Sequence, residues 1–217
     1  MDTCKFLTAT ALVAVLSIPT IANAAIISVD YQSADDNLIT RDTSSGLDWL
    51  DLTETNNMSY NMVLSQLGSG GLFEEFRYAS SIEAIELWAN FGVDLAPDTT
   101  RSLDFIDPGI FMATSYLGNL FNGVYSTEYL YGLYGITGTL REPSTNRHDI
   151  VGAYVRTSEI SAYKNSLWGP VPDDDGYRMY AGSYLVRVSP VPIPASIWLF
   201  TTGLISLVSF ARRKTNA

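Results

Sequence analysis

The sequence predicts an α+β domain, and three observations carry that expectation. Two segments in the N-terminal half have helical periodicity with capping residues at their starts. Beyond Pro97 the pattern gives way to short apolar and tyrosine-rich pieces broken by glycine. Near the end, Tyr177 to Val188 alternates with period two. Helical segments followed by strands fit a mainly antiparallel α+β arrangement better than alternating βαβ units.

In chain order, Ile26 to Val29 and Leu38 to Thr40 read as short strands, and Asp42-Thr-Ser-Ser-Gly46 has turn composition. Leu47, Trp49 and Leu52 then supply apolar anchors. Ser59 can cap a helix through Leu67, with Met58 and Val63 as a hydrophobic staple and Gly68 as the stop. Ser80-Ser-Ile-Glu83 is a capping box opening a second helix, in which Ile85, Trp88 and Ala89 share a face and Gly92 closes the element. Phe111 to Leu120, Val124 to Tyr131 and Ile150 to Arg156 read as strands and irregular loops, because tyrosine and β-branched residues with frequent glycine disfavour helix. In the final strand Tyr184, Val186 and Val188 fall on one face, Leu185 and Arg187 on the other.

The two ends of the 217-residue chain carry targeting information. Lys5, the apolar stretch Phe6 to Ile18, Pro19 and the small-residue pattern Ala22-Asn23-Ala24 read as a secretory signal over residues 1–24, cut after Ala24 by signal peptidase. At the other end, residues 195–211 carry no charge and, at a helical rise of about 1.5 Å, reach roughly 25 Å, near the lower limit for a transmembrane helix. Arg212, Arg213 and Lys214 follow at once, which places that end in the cytoplasm and the preceding domain, residues 25–189, outside. Pro192 and Pro194 keep Val191 to Ala195 extended and open to a processing enzyme.

These features give residues 190–217 a specific likeness. Val191-Pro-Ile-Pro-Ala195, Trp198 in the first helical turn, Gly203 midway and Ala-Arg-Arg-Lys214 occur in the order of a PEP-CTERM sorting domain, which the tail resembles in its Val-Pro-x-Pro-Ala variant. Ile193 stands where the main group has an acidic residue. The resemblance implies recognition and cleavage by an exosortase-type membrane protease of Gram-negative bacteria that make exopolysaccharide. The protein would be membrane-anchored before processing, then at the cell surface or in the extracellular matrix.

Charge narrows the partners. The chain is formally at −10, and loss of Lys5, Arg212, Arg213 and Lys214 with the two ends leaves the exported domain more acidic still. Nucleic acid and other polyanions are disfavoured, whereas cations and neutral sugars are not. Cys4, the one cysteine, lies in the signal segment, so the mature domain holds itself together without disulfides.

A second likeness is at the level of fold. Gly46-Leu-Asp-Trp-Leu-Asp51, Ser59-Tyr60, Gly70-Gly71, Phe76-Arg77-Tyr78-Ala79, Glu83 and Gly182-Ser-Tyr-Leu-Val-Arg187 resemble, in order, a set of bacterial exported domains related to the C-type-lectin-like fold. Phe76 replaces the usual Trp. The resemblance implies that Gly182 to Arg187 is a closing strand paired with the N-terminal one. It supplies no ligand.

Catalytic patterns are weak. His148 beside Asp149 lacks any Gly-x-Ser-x-Gly elbow and reads as a surface-loop histidine after Pro143-Ser-Thr-Asn-Arg147. Asp173, Asp174 and Asp175 before Gly176 are the calcium candidates, but they lack the alternation and the distal Glu of a calcium loop, so no cofactor is assigned. Glu74-Glu75 near Arg77, or Glu83 near Glu86, could form a glycosidase pair only if they faced each other across a bond. Tyr116, Tyr125, Tyr129, Tyr131, Tyr134 and Trp168 would serve either as a stacking platform or as sheet packing. The sequence therefore favours a non-enzymatic interaction module associated with exopolysaccharide or biofilm. The alternative is a secreted polysaccharide-acting hydrolase.

Overall fold

A computed structural model describes residues 25–95, 99–101, 107–120, 129–142, 147–156, 160–164, 171–172 and 181–190. The chain runs β1 (Ile26–Val29), β2 (Ile39–Asp42), β3 (Leu47–Leu50), a 3-10 turn (Leu52–Thr55), α1 (Tyr60–Ser65), β4 (Arg77–Tyr78), α2 (Ser81–Asn90), β5 (Thr99–Arg101), α3 (Pro108–Leu117), β6 (Tyr129–Glu142), β7 (Arg147–Arg156), β8 (Ile160–Lys164), β9 (Val171–Pro172), β10 (Ala181–Ser183) and β11 (Leu185–Val188). This is an α+β fold with two sheets. The first has the order β1-β2-β3-β11-β4 and the second β10-β6-β7-β8-β5, with β9 also on β7. Every pairing is antiparallel except β10 on β6.

The predicted caps form. Ser59 accepts from Met62 N, and Met58 and Val63 meet in one cluster as a staple would have them, although α1 ends at Ser65 rather than Leu67. Ser80 and Glu83 complete the capping box, and Gly92 takes φ +84° just beyond α2. The buried face of α2 is Ala84, Leu87 and Trp88, with Ala89 exposed.

Two expectations are corrected. Phe111 to Leu117, read as strand, belongs to α3. Asp107 caps it by accepting from Gly109 N and Ile110 N, Pro108 starts it, and Ile110, Ala113, Thr114 and Leu117 make its buried face. An Asp-Pro pair at a helix start is a signal that residue propensity overrode. Secondly, the closing strand does not pair with the N-terminal one. β11 lies between β3 and β4, with Val186 opposite Trp49 on one side and Arg77 on the other, whereas among the described residues β1 pairs with β2 alone.

Tyr184 is where the chain crosses between sheets. Its N–H donates to Ile136 O of β6 and its carbonyl accepts from Ala79 N beside β4, both at 2.9 Å. Gly182 sits two residues earlier, where a Cβ would lie 2.3 Å from Leu52 O. The alternation expected for this segment holds from Tyr184 to Val186, whose two faces are covered, while Val188 is exposed and Tyr177 to Tyr180 lie outside the described residues. Tyr184 and Val186 join Trp49, Trp88, Leu133, Val151 and the inner faces of α2 and α3 in the main core. Leu185 joins Ile39, Leu50, Val63, Phe73 and Phe76 on the opposite side.

Candidate functional site

Register places the site. Across the first sheet Ile26, Asp42, Leu47 and Val188 form one row, and Ser28, Thr40, Trp49 and Val186 form another two residues along, so both rows project from the same face. That face looks toward α2, whose residues 83, 86, 87 and 90 share one side at helical spacing. Between them lies a cleft of about 270 Å³. Asp42, Ser44, Ser45, Leu47 and Trp49 line it from the sheet and its turn, and Glu83, Glu86, Leu87 and Asn90 from the helix.

Its polar groups are held in place. Asp42 is 2 % exposed, and one carboxylate oxygen accepts from Ser44 N and Ser44 Oγ at 2.9 and 2.5 Å. The other accepts from Ser45 Oγ and Asn90 Nδ2 at 2.8 and 2.9 Å. Burial works against its charge, but the hydrogen bonds from Ser44 and Ser45 outweigh it and keep the carboxyl below its usual range. Glu83 is bound by Arg77 through two contacts, at 2.6 and 3.1 Å, and by the Ser80 N–H and hydroxyl. The Arg77 hydrogen bonds are the main cause that brings its pKa down to about 2. Glu86 is exposed. Trp49 is 1 % exposed, and its Nε1–H is buried without an acceptor among the described residues.

The same turn gathers the two ends of the described chain. Ala25 N donates to Thr43 Oγ1 at 2.7 Å and Thr43 N returns to Ala25 O at 3.0 Å. Ser189 N donates to Gly46 O at 2.9 Å, and Ser189 Oγ donates to Asp48 Oδ1. On the far face of the sheet Asp48, fully buried, also takes a bidentate contact from Arg41 at 2.7 and 2.9 Å. Arg41, Asp48 and Arg187 stand in one cross-strand row, which explains the second cation beside this carboxylate. Burial opposes the Asp48 charge, yet these partners hold its pKa low. Arg187 in turn pairs with Glu75 and lies 5.3 and 5.1 Å from the Tyr31 and Phe76 ring centres.

His148 is not on a surface loop. It lies on β7, 3 % exposed, its ring stacked 3.6 Å from that of Tyr60. The polar run before it hid the strand start at Arg147. Asp149 follows directly along the strand and so projects to the opposite face, which rules out a triad-like pairing with His148. Of the imagined glycosidase pair Glu74 and Glu75, Glu74 accepts from Gly70 N at 2.7 Å and Glu75 is taken by Arg187, while the nearby Arg77 pairs with Glu83. Among the tyrosines, Tyr116, Tyr131 and Tyr134 pack against the main core, Tyr116 near Phe91 and Tyr131 edge-on to Phe111. The side chains of Tyr125, Tyr129 and Trp168 lie outside the described residues, as do Ala22, Ala24, Asp173, Asp174, Asp175, Val191, Pro192, Pro194, Ala195, Arg212, Arg213 and Lys214. Among the described residues no group of three or more acidic, histidine or cysteine side chains could hold a metal, and no helix is long and apolar enough to cross a membrane.

Sequence reasoning missed the cleft because it joins two distant segments. The individual signals, a Ser-rich turn after an acidic residue and an acidic helix face, were visible but unconnected. No family model, curated protein or solved structure matches the chain.

Proposed function

We propose that this chain is an exported protein of the Gram-negative cell envelope or extracellular matrix, delivered by an exosortase-type system and acting there as a non-enzymatic interaction module of C-type-lectin-like descent. The observation that carries the reading is the ordered tail: Val191-Pro-Ile-Pro-Ala195, an uncharged stretch to Ala211, then Arg212, Arg213 and Lys214. The fold is compatible with two-ended processing. Ala25 and Ser189 are both tied to the Thr43–Gly46 turn, so a signal segment and a sorting tail would leave the folded body at one place and tether it from one side. Val188, the last residue of β11, is 76 % exposed.

The hydrolase alternative has less support. Asp42, Glu83 and Glu86 do share a cleft, but Glu83 is ionised and saturated by Arg77 and Ser80, the opposite of what a general acid needs. Replacing both Pro192 and Pro194 by alanine should leave an uncleaved, membrane-retained form, seen as a larger band in the membrane fraction of a host carrying the processing enzyme. Processing and release equal to wild type would refute the sorting reading.

A further inference from the structure

We infer that Ser189 is a latch on processing: while it is held against β3 the folded body restrains cleavage, and the enzyme captures the motif only when the end of β11 lets go. This rests on the reading of residues 190–217 as a sorting signal. Ser189 N–H donates to Gly46 O at 2.9 Å, and its hydroxyl donates to Asp48, a fully buried carboxylate that Arg41 and Arg187 also hold. Ser189 is itself buried, and Val188 before it stands opposite Leu47 in the ladder. Pro190 alone separates this clamp from Val191. At no more than about 3.6 Å per residue, chain geometry brings the start of the motif no further than roughly 7 Å from Ser189.

That distance sets up a competition. An enzyme that takes up an extended segment does so by pairing with its backbone, and the residues just ahead of the motif have already given theirs to β3 and its turn. The Thr43–Gly46 turn, which also carries Ala25, fills space beside Ser189 that an enzyme closing on Val191 needs. Apart from the clamp, release at this end costs little. Val188 is 76 % exposed, and among the described residues β4 pairs with Leu185 and Val186 but not with the two residues that end the body. Letting go of Val188 and Ser189 therefore uncovers little apolar surface and leaves Tyr184 and Val186 in the core. The Ser189 hydroxyl on its charged acceptor is the larger part of the hold, and loss of such a hydrogen bond shifts the opening by about tenfold or more.

The test is a pulse-chase of the full chain in a host carrying the processing enzyme, reading the rate at which the larger band converts to the smaller. Ser189→Ala should be processed about tenfold faster than wild type. Val63→Ala removes core packing behind α1 without touching the clamp, and should stay within about twofold of the wild-type rate, which separates the latch from general loss of stability. Inserting about six Gly and Ser residues between Pro190 and Val191 adds roughly 20 Å of reach while keeping the motif's distance from the apolar stretch. That chain should be processed as fast as Ser189→Ala, and adding Ser189→Ala to it should change nothing further. A Ser189→Ala rate equal to wild type, equal acceleration by Val63→Ala, or a lengthened chain no faster than wild type would each overturn the latch. With the Pro192 and Pro194 variant unprocessed, those results refute the latch alone; a proline variant processed like wild type refutes the sorting reading and the latch with it.

Discussion

Replacing Tyr184 by phenylalanine should destabilise the domain out of proportion to the single oxygen lost. Tyr184 is fully buried between the two sheets, and its hydroxyl accepts from Trp88 Nε1 at 2.8 Å and donates to Val151 O at 3.2 Å. Phenylalanine keeps the edge-on contact with Trp49, at 6.0 Å between ring centres, so little packing changes. What is lost is the link between α2 and β7. Trp88, also 0 % exposed, is left with an orphaned donor that water does not reach, costing about 1–3 kcal/mol, and the Val151 contact adds about 1 kcal/mol. The sum is about 2–4 kcal/mol. Urea denaturation of the full chain in mild detergent, followed by near-ultraviolet circular dichroism, should show a lower midpoint with an unchanged slope. A double-mutant cycle with Trp88→Phe should return a coupling of about 1–2 kcal/mol, because once the indole donor is gone the hydroxyl has less to satisfy. A Tyr184→Phe protein within about 0.5 kcal/mol of wild type would refute the view that this hydroxyl joins the layers.

Three other outcomes follow from the same contacts. The folded-state pKa of Glu83 is depressed to about 2 by Arg77, so its contribution is present above the ordinary carboxylate range and is lost as pH falls from about 4.5 toward 2. Arg77→Gln should move the Glu83 titration back toward its usual value, measurable by NMR of the side-chain carboxyl, and an unmoved titration would contradict the assignment. Tyr184 titrates upward because burial disfavours its phenolate, so stability should fall as pH rises above about 10, and Tyr184→Phe should lose that slope in alkaline urea titrations. Gly182→Ala must displace Leu52, whose carbonyl oxygen and carbon lie 2.3 and 2.9 Å from the added Cβ, and should cost about 1–3 kcal/mol in the same denaturation assay.

The helix starts were legible because capping is local: Ser59, Ser80 and Glu83 act within three residues of themselves. The α3 helix was hidden for a related reason, since its Ile, Phe, Tyr and Thr content argued for strand while its cap, Asp107 with Pro108, carried the opposite message. His148 was misplaced because the polar run before it resembles a turn, whereas it lies on β7 between β6 and β9 with its ring stacked on Tyr60 of α1, brought over from far upstream. The cleft was illegible in principle. Asp42 and Asn90 are 48 positions apart and meet only after β2 is set beside β3 and α2 is laid across the sheet.

The sequence by itself determined the charge, the absence of cysteine from the segment after Ala24, the capped helix starts, the alternation of the last strand and the order of features in the tail, all properties of neighbouring residues. Tertiary structure decided which strand the closing segment joins, which carboxylates are saturated by partners and which remain free, and that Ala25 and Ser189 meet at one turn. Those outcomes depend on contacts between residues far apart in the chain, whose cost in loop closure is recovered only when both sheets and the core between them form together.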